Sequence, residues 1–111
     1  MGPDQTFVIV LTTLPADGDA EQFASQLVEE RLAACVSILP AMRSVYRWKS
    51  AVERSDERQL VIKTTRSRVI ALEARIRKLH PYDVPEFVVL PVDSGSADYL
   101  SWLSDSTRTS S

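Results

Sequence analysis

The first strong signal along the chain is Phe7-Val8-Ile9-Val10-Leu11, five consecutive apolar residues rich in β-branched types. A run this short and this apolar predicts a strand covered on both faces or central in a sheet. Pro15 and Gly18 then mark a turn, and Asp19 is placed to cap a helix, with Gln22 three residues on as its capping-box partner. Ala20, Phe23, Ala24, Leu27, Val28 and Leu32 follow at helical spacing, with Gln26, Glu29 and Glu30 on the outer side. From Cys35 the pattern turns β-like: residues 35–39 and 44–48 predict one long strand, bent or bulged at Pro40, which has no N–H for a ladder. The polar stretch 49–56 reads as the connector of a hairpin whose other arm is 59–65, the position of the turn being left open. Ser67 is placed to cap a second helix on Val69, Leu72, Ile76 and Leu79, with Arg75, Arg77 and Lys78 near its negative end and Pro81 stopping it. Residues 87–90 form a fourth apolar run closed by Pro91. Tyr99, Trp102 and Leu103 give the apolar edge of a short helix capped near Ser96, and 107–111 reads as a frayed tail.

The order β-α-β-β-α-β plus one helix defines an α+β chain of the ferredoxin-like class: one antiparallel sheet, both long helices on one face, and an extra C-terminal helix. The other sheet face then needs an occupant. Ser44, Tyr46 and Trp48 alternate onto one side of the second strand, and Gln59, Val61 and Lys63 share one side of the third. Each buried Tyr or Trp removes roughly 150–250 Å² from water. Oligomerisation that covers this face or the long hairpin is therefore expected.

At 111 residues the chain is the size of one domain, taken as 1–111 with an ordered core of about 6–104. Its 44% hydrophobic and 25% charged residues match ordinary globular proteins, which argues against a disordered or membrane chain. Thirteen basic against 15 acidic residues leave a net charge of −2, so no field draws nucleic acid or acidic lipid. Cys35 is the only cysteine and has no internal partner, which fits a reducing compartment. Residues 1–5 lack a basic leader region and the following apolar run is too short to cross a bilayer, so a cytoplasmic location without membrane association is expected.

Several segments carry a more specific signal: residues 10–15, Glu30-Arg31-Leu32-Ala33-Ala34-Cys35-Val36, Tyr46-Arg47-Trp48, Lys63-Thr64-Thr65, His80-Pro81-Tyr82-Asp83-Val84-Pro85-Glu86 and Asp98-Tyr99-Leu100-Ser101-Trp102. In order and spacing, over roughly residues 6 to 104, they resemble the CutA family of divalent-cation tolerance proteins. The resemblance implies a heat-resistant homotrimer linked to tolerance of copper and other divalent cations, with an architecture similar to PII-type signalling trimers that bind small ligands between subunits. It also implies metal ligands at a cysteine late in the first strand and at two histidines before the Pro-Tyr. The matching positions here are Thr12, Leu79 and His80, and of these only His80 is a ligand type for copper or zinc. A divalent metal ion, copper in the family, would thus bind weakly unless Asp83, Glu86 or another subunit contributes.

His80 has two readings: a metal ligand or titrating group, or a helix C-terminal residue offsetting the dipole. Cys35, between Ala34 and Val36, reads as a small buried hydrophobe. Tyr46, Trp48, Lys63, Tyr82 and Glu86 are candidate ligand-binding residues of an intersubunit cleft, packing being the alternative for the aromatics. A phosphate-binding enzyme of the acylphosphatase kind needs donors in the first strand-to-helix loop, where this chain has Asp17 and Asp19. Neither a Ser-His-Asp order nor a Gly-rich phosphate loop is visible, so enzyme activity is not expected. RNA recognition would want aromatics where the third strand has Gln59, Val61 and Lys63, and a copper chaperone would want Cys-x-x-Cys. The leading expectation is a cytosolic homotrimer with weak or intersubunit metal binding; a PII-like small-ligand sensor is the alternative.

Overall fold

In the computed structural model, which describes residues 6–109, the apolar strand β1 (Phe7–Pro15) lies between two antiparallel partners. On one side β4 (Ala51–Thr65) pairs from Phe7↔Thr65 to Pro15↔Glu57; on the other β5 (Val88–Pro91) pairs from Val8↔Pro91 to Leu11↔Val88. β2 (Cys35–Ile38) and β3 (Met42–Trp48) follow one another along the far edge of β4, giving the order β2-β4-β1-β5 with β3 continuing beside β4. Helices α1 (Ala20–Glu29) and α2 (Val69–Leu79) cover one face. The main core lies under them: Val8, Val10 and Leu14 of β1, Leu60 and Ile62 of β4, Phe23 and Leu27 of α1, and Leu72 and Ile76 of α2. Each such side chain contributes about 1.5–3 kcal/mol by leaving water. The architecture is ferredoxin-like, as the element order predicts, with α3 (Ala97–Ser106) added.

The bend at Pro40 is a β-bulge. Between the pairs Ile38↔Leu60 and Met42↔Glu57, three residues (Leu39, Pro40, Ala41) stand opposite two (Arg58, Gln59). Leu39 still donates its N–H to the Gln59 carbonyl at 3.0 Å, and the extra residue switches the side-chain alternation. Before the bulge Cys35 and Ser37 face away from the helices; after it Met42, Ser44, Tyr46 and Trp48 do.

The hairpin departs from expectation. Its turn is the pair Lys49-Ser50, both at positive φ (48° and 70°), and β4 begins at once at Ala51. The supposed connector is a strand that reads as polar because no helix covers it: residues 51–54 are exposed on both faces. Arg43 and Asp56 pair across it at 2.8 Å.

Helix ends follow local chemistry. Asp19 accepts the Gln22 N–H at 3.0 Å. α1 stops at Glu29, earlier than its apolar spacing suggests, through a Schellman turn: Leu32 N–H to Leu27 O at 3.0 Å, Arg31 N–H to Val28 O at 3.0 Å, and Arg31 at φ 59°. Val28 is left exposed. Ser67 does not cap α2; it sits inside a 3₁₀ turn (Arg66–Arg68), its Oγ 3.2 Å from Thr65 Oγ1. Ser96 caps α3 by accepting the Tyr99 N–H, and Leu103 packs on Phe7 and Ala34, while Tyr99 and Trp102 stay exposed with ring centroids 5.4 Å apart. Thr107, expected in a frayed tail, is buried and donates its hydroxyl to the Leu103 carbonyl at 3.0 Å. Residues 1–5 and 110–111 lie outside the described residues. Among those described, no helix is long and apolar enough to cross a membrane.

Candidate functional site

The uncovered face of the sheet holds a cleft of about 720 Å³ between the root of the β3–β4 hairpin and the loop after α2. Thr13 and Gln59 form its floor with Glu57, while Tyr46 and Trp48 stand on one side and the segment from Pro81 to Glu86 on the other. The loop's position is set by His80. Pro81 forces its predecessor into extended backbone, and His80 leaves the helix at φ −81°, ψ 138° after donating its N–H to Ile76 O at 2.8 Å. Its ring, 8% exposed, turns back under the sheet. Nδ1 accepts the Tyr82 N–H at 3.1 Å, so Nε2 carries the proton and donates it to the Thr13 carbonyl at 2.6 Å. Phe23 meets the imidazole edge-on at 6.3 Å.

This geometry answers both readings of His80. With one ring nitrogen protonated and the other accepting a main-chain N–H, no lone pair is left for a metal ion. The ring also bonds β1 rather than the last carbonyls of α2, so its work is to fasten the loop to the end of β1. Of the other two positions matched to metal ligands, Leu79 packs against the main core and Thr12 is fully buried with its hydroxyl unpartnered. Among the described residues no three His, Cys, Asp or Glu side chains converge as a metal group.

Glu57 lines the cleft at the root of the hairpin, opposite Met42. It pairs with Pro15 on one side and Met42 on the other, so strands flank it on both edges, and only 7% of its surface is exposed. Its Oε2 accepts from the Tyr82 hydroxyl at 3.0 Å. Burial, then the hydrogen bond to Glu57 and its charge, push the Tyr82 phenol up to about 12. The Gln59 amide donates to both Thr12 O at 2.7 Å and Glu86 Oε2 at 2.9 Å, tying the loop's far end to the floor. On the hairpin, the Tyr46 hydroxyl lies 2.6 Å from Ser55 Oγ.

Four of the five candidate ligand-binding residues, Tyr46, Trp48, Tyr82 and Glu86, thus line one cleft within a single chain. Lys63 does not. It stands opposite Cys35 and Ile9, near the other end of β4, with Nζ 5.7 Å from the Tyr99 ring centroid. Cys35 itself is only partly buried, its Sγ 3.9 Å from Ser37 Oγ. Glu57 was missed in the sequence, and Gln59, placed on the open face with Val61 and Lys63, was not assigned to the site. Alternation back from Lys63 through Val61 and Gln59 would have reached Glu57, had the strand been continued into the polar stretch.

The family model for the CutA1 divalent ion tolerance protein matches residues 8–106, nearly the whole described chain. The chain belongs to the CutA1 family. A Pectobacterium atrosepticum relative named divalent-cation tolerance protein CutA is 46% identical over 101 residues, covering 91% of this chain and 92% of that one. The solved divalent cation tolerance protein from Thermus thermophilus superposes with a TM-score of 0.88 at 45% identity, over 92% of this chain and 99% of that one. CutA1 from Oryza sativa gives 0.91 at 38% identity, over 98% and 100%. A CutA from Archaeoglobus fulgidus, 25% identical with a TM-score of 0.87 over 92% and 99%, is described as periplasmic. Membership of the CutA1 family therefore fixes the fold without fixing a compartment.

Proposed function

We propose that this CutA1-family chain acts in divalent-cation tolerance as a cytoplasmic homotrimer, with metal binding that is weak in one chain and completed between chains. The observation that carries this reading is the uncovered sheet face. Tyr46, Trp48, Val88 and Leu90 keep 41%, 43%, 45% and 44% of their surface exposed on the side opposite α1 and α2. An apolar face of that kind marks an association surface, and copies of the chain are its occupant. The donors such an assembly could share are the loop carboxylates Asp83 and Glu86. Oxygen donors hold copper less tightly than imidazole or thiolate would, which is why the binding is weak. The lone thiol of Cys35 supports the cytoplasm. No catalytic step and no nucleic-acid or membrane partner is assigned.

Native mass spectrometry during copper and zinc titration tests the proposal. Three chains per particle are expected, with ions retained by the trimer and lost in a double variant, Asp83→Asn with Glu86→Gln. A stable monomer, or a monomer that holds one ion per chain, would overturn it.

A second reading, a small-ligand sensor comparable to PII-type proteins, is favoured by one observation: the cleft has the volume of a small-molecule site and far exceeds the room a single ion needs.

A further inference from the structure

The layer of α1 and α2 lies on the side of the sheet away from the face given to sister chains, and its charge is divided between the helices. On α1 the exposed positions recur at helical spacing as Glu21, Ser25, Val28 and Glu29. Just before and along α2 they are Arg66, Ile70, Ala74, Arg77 and Lys78. One helix is thus acidic and the other basic, and each holds an apolar side chain in water between its charges. Ile70, 84% exposed, is the most exposed large hydrophobic residue among those described, and Val28 is exposed as well.

Within one chain these charges are poorly placed. The helices run antiparallel: Arg68 Nε donates to the Arg31 carbonyl at 3.2 Å at one end, and the Phe23 and His80 rings meet at the other. At the first end Glu29 sits on the negative terminus of α1, which has no basic residue in its last turn. Arg66 precedes the positive terminus of α2, which has no acidic residue in its first turn. Both carry the sign that the helix dipole disfavours. Glu30 is relieved by Arg75, whose Nε and Nη2 each meet its carboxylate at 2.9 Å. Glu21, Glu29, Arg66 and Lys78 belong to none of the four ion pairs among the described residues.

We infer that a second copy of the chain docks on this layer, α2 of each chain on α1 of the other, about a twofold axis running along the helices. That rotation exchanges the two helices sideways and keeps their heights, so every contact is made twice. Arg66 meets the partner's Glu29, Lys78 meets the partner's Glu21, and Ile70 with Ala74 covers the partner's Val28. The chain is its own electrostatic complement on this side. The surface is separate from the open sheet face, so it joins the particles that the sheet face builds.

Sedimentation velocity of the intact protein over a range of concentrations tests this, in sodium chloride at about 20 mM and about 500 mM, where surface charges are respectively felt and screened. At low salt the particle mass should rise with concentration to at least twice the unit seen at high salt. Arg66→Glu alone and Glu29→Arg alone should each weaken that association at least about tenfold. The two together should restore it, which a merely damaged fold would not do. Ile70→Ser, at a position outside the core, should weaken it severalfold. A mass independent of concentration and salt, an unchanged rise in Arg66→Glu, or a double variant no better than the singles overturns the proposal. A protein that keeps its high-salt mass at low salt but binds polyglutamate has a foreign acidic partner, and the proposal fails. Carbodiimide crosslinking of mixed isotopically light and heavy chains places the contact: Lys78 joined to Glu21 across the two labels is expected, and joining only within one label counts against it. The high-salt unit reads the trimer by itself, so either surface can fail while the other stands.

Discussion

Replacing His80 by alanine separates a structural histidine from a metal ligand. The substitution removes two hydrogen bonds, to Thr13 O at 2.6 Å and from Tyr82 N–H at 3.1 Å, and strips a ring that is 8% exposed. Each bond contributes about 0.5–1.5 kcal/mol net, and a buried group left without a partner costs about 1–3 kcal/mol. Thr13 is buried, so its carbonyl is the group for which that cost applies. The sum is about 2–6 kcal/mol of lost stability. At fixed protein concentration, because assembly adds its own stabilisation, urea unfolding should show this as a lower midpoint with an unchanged slope. His80→Gln keeps one amide donor for Thr13 O and one acceptor for the Tyr82 N–H, and should recover about half of the loss. Copper and zinc uptake per folded chain should equal that of the parent. A variant within about 0.5 kcal/mol of the parent, or a fully folded variant that no longer takes up metal, would refute the assignment.

Three further outcomes follow from single residues. Thr12→Val removes a buried hydroxyl that has no partner while keeping the β-branched shape, so it should stabilise by about 1 kcal/mol in urea unfolding; a loss would mean the hydroxyl is satisfied after all. Arg31→Gly relieves a left-handed residue at the end of α1 and should stabilise by about 0.5–1 kcal/mol, read by thermal unfolding, an unchanged or lower midpoint counting against the strain. Tyr82, with its phenol pushed from 10.0 up to about 12, keeps its proton in the folded chain where the unfolded chain is losing it. Its contribution is whole below pH 10 and is lost as pH rises through 12, so alkaline absorbance titration should show one late phenol that Tyr82→Phe abolishes. Survival of the late step in that variant would reassign it.

Where the sheet is covered by helices, the order of elements was legible because burial imposes a pattern. Val8, Val10, Leu60 and Ile62 alternate with residues of the open face, and Phe23, Leu27, Leu72 and Ile76 fall at helical spacing under the same cover. Beyond the helices that pressure ends. Residues 51–54 are wet on both sides, so the first part of a 15-residue strand carries no hydrophobic period and reads as a connector. The turn was hidden for a related reason: Lys49 and Ser50 take positive φ without the Asn-Gly or Gly-Gly pair that usually announces it. Ser67 shows the opposite failure, a residue of the right type just before a helical stripe, drawn instead into a tighter turn beside Thr65.

The site was partly legible because its aromatics and its Pro-rich loop stand out by composition. What binds them into one cleft is register, which composition does not carry. A strand shifted by one residue turns all its side chains to the other face. The extra residue at Leu39-Pro40-Ala41 makes that shift within one edge, and without it Tyr46 and Trp48 would point toward the helix side while Val45 and Arg47 faced the loop. The same alternation on β4 places Glu57 on that face, opposite Met42, and carries Lys63 to the far end of the face, beside Tyr99. One bulge therefore decides which side chains share the site: Tyr46 and Trp48 join Glu57 and Gln59 on one face of the sheet, and Lys63, on that same face, is left at its far end outside the cleft.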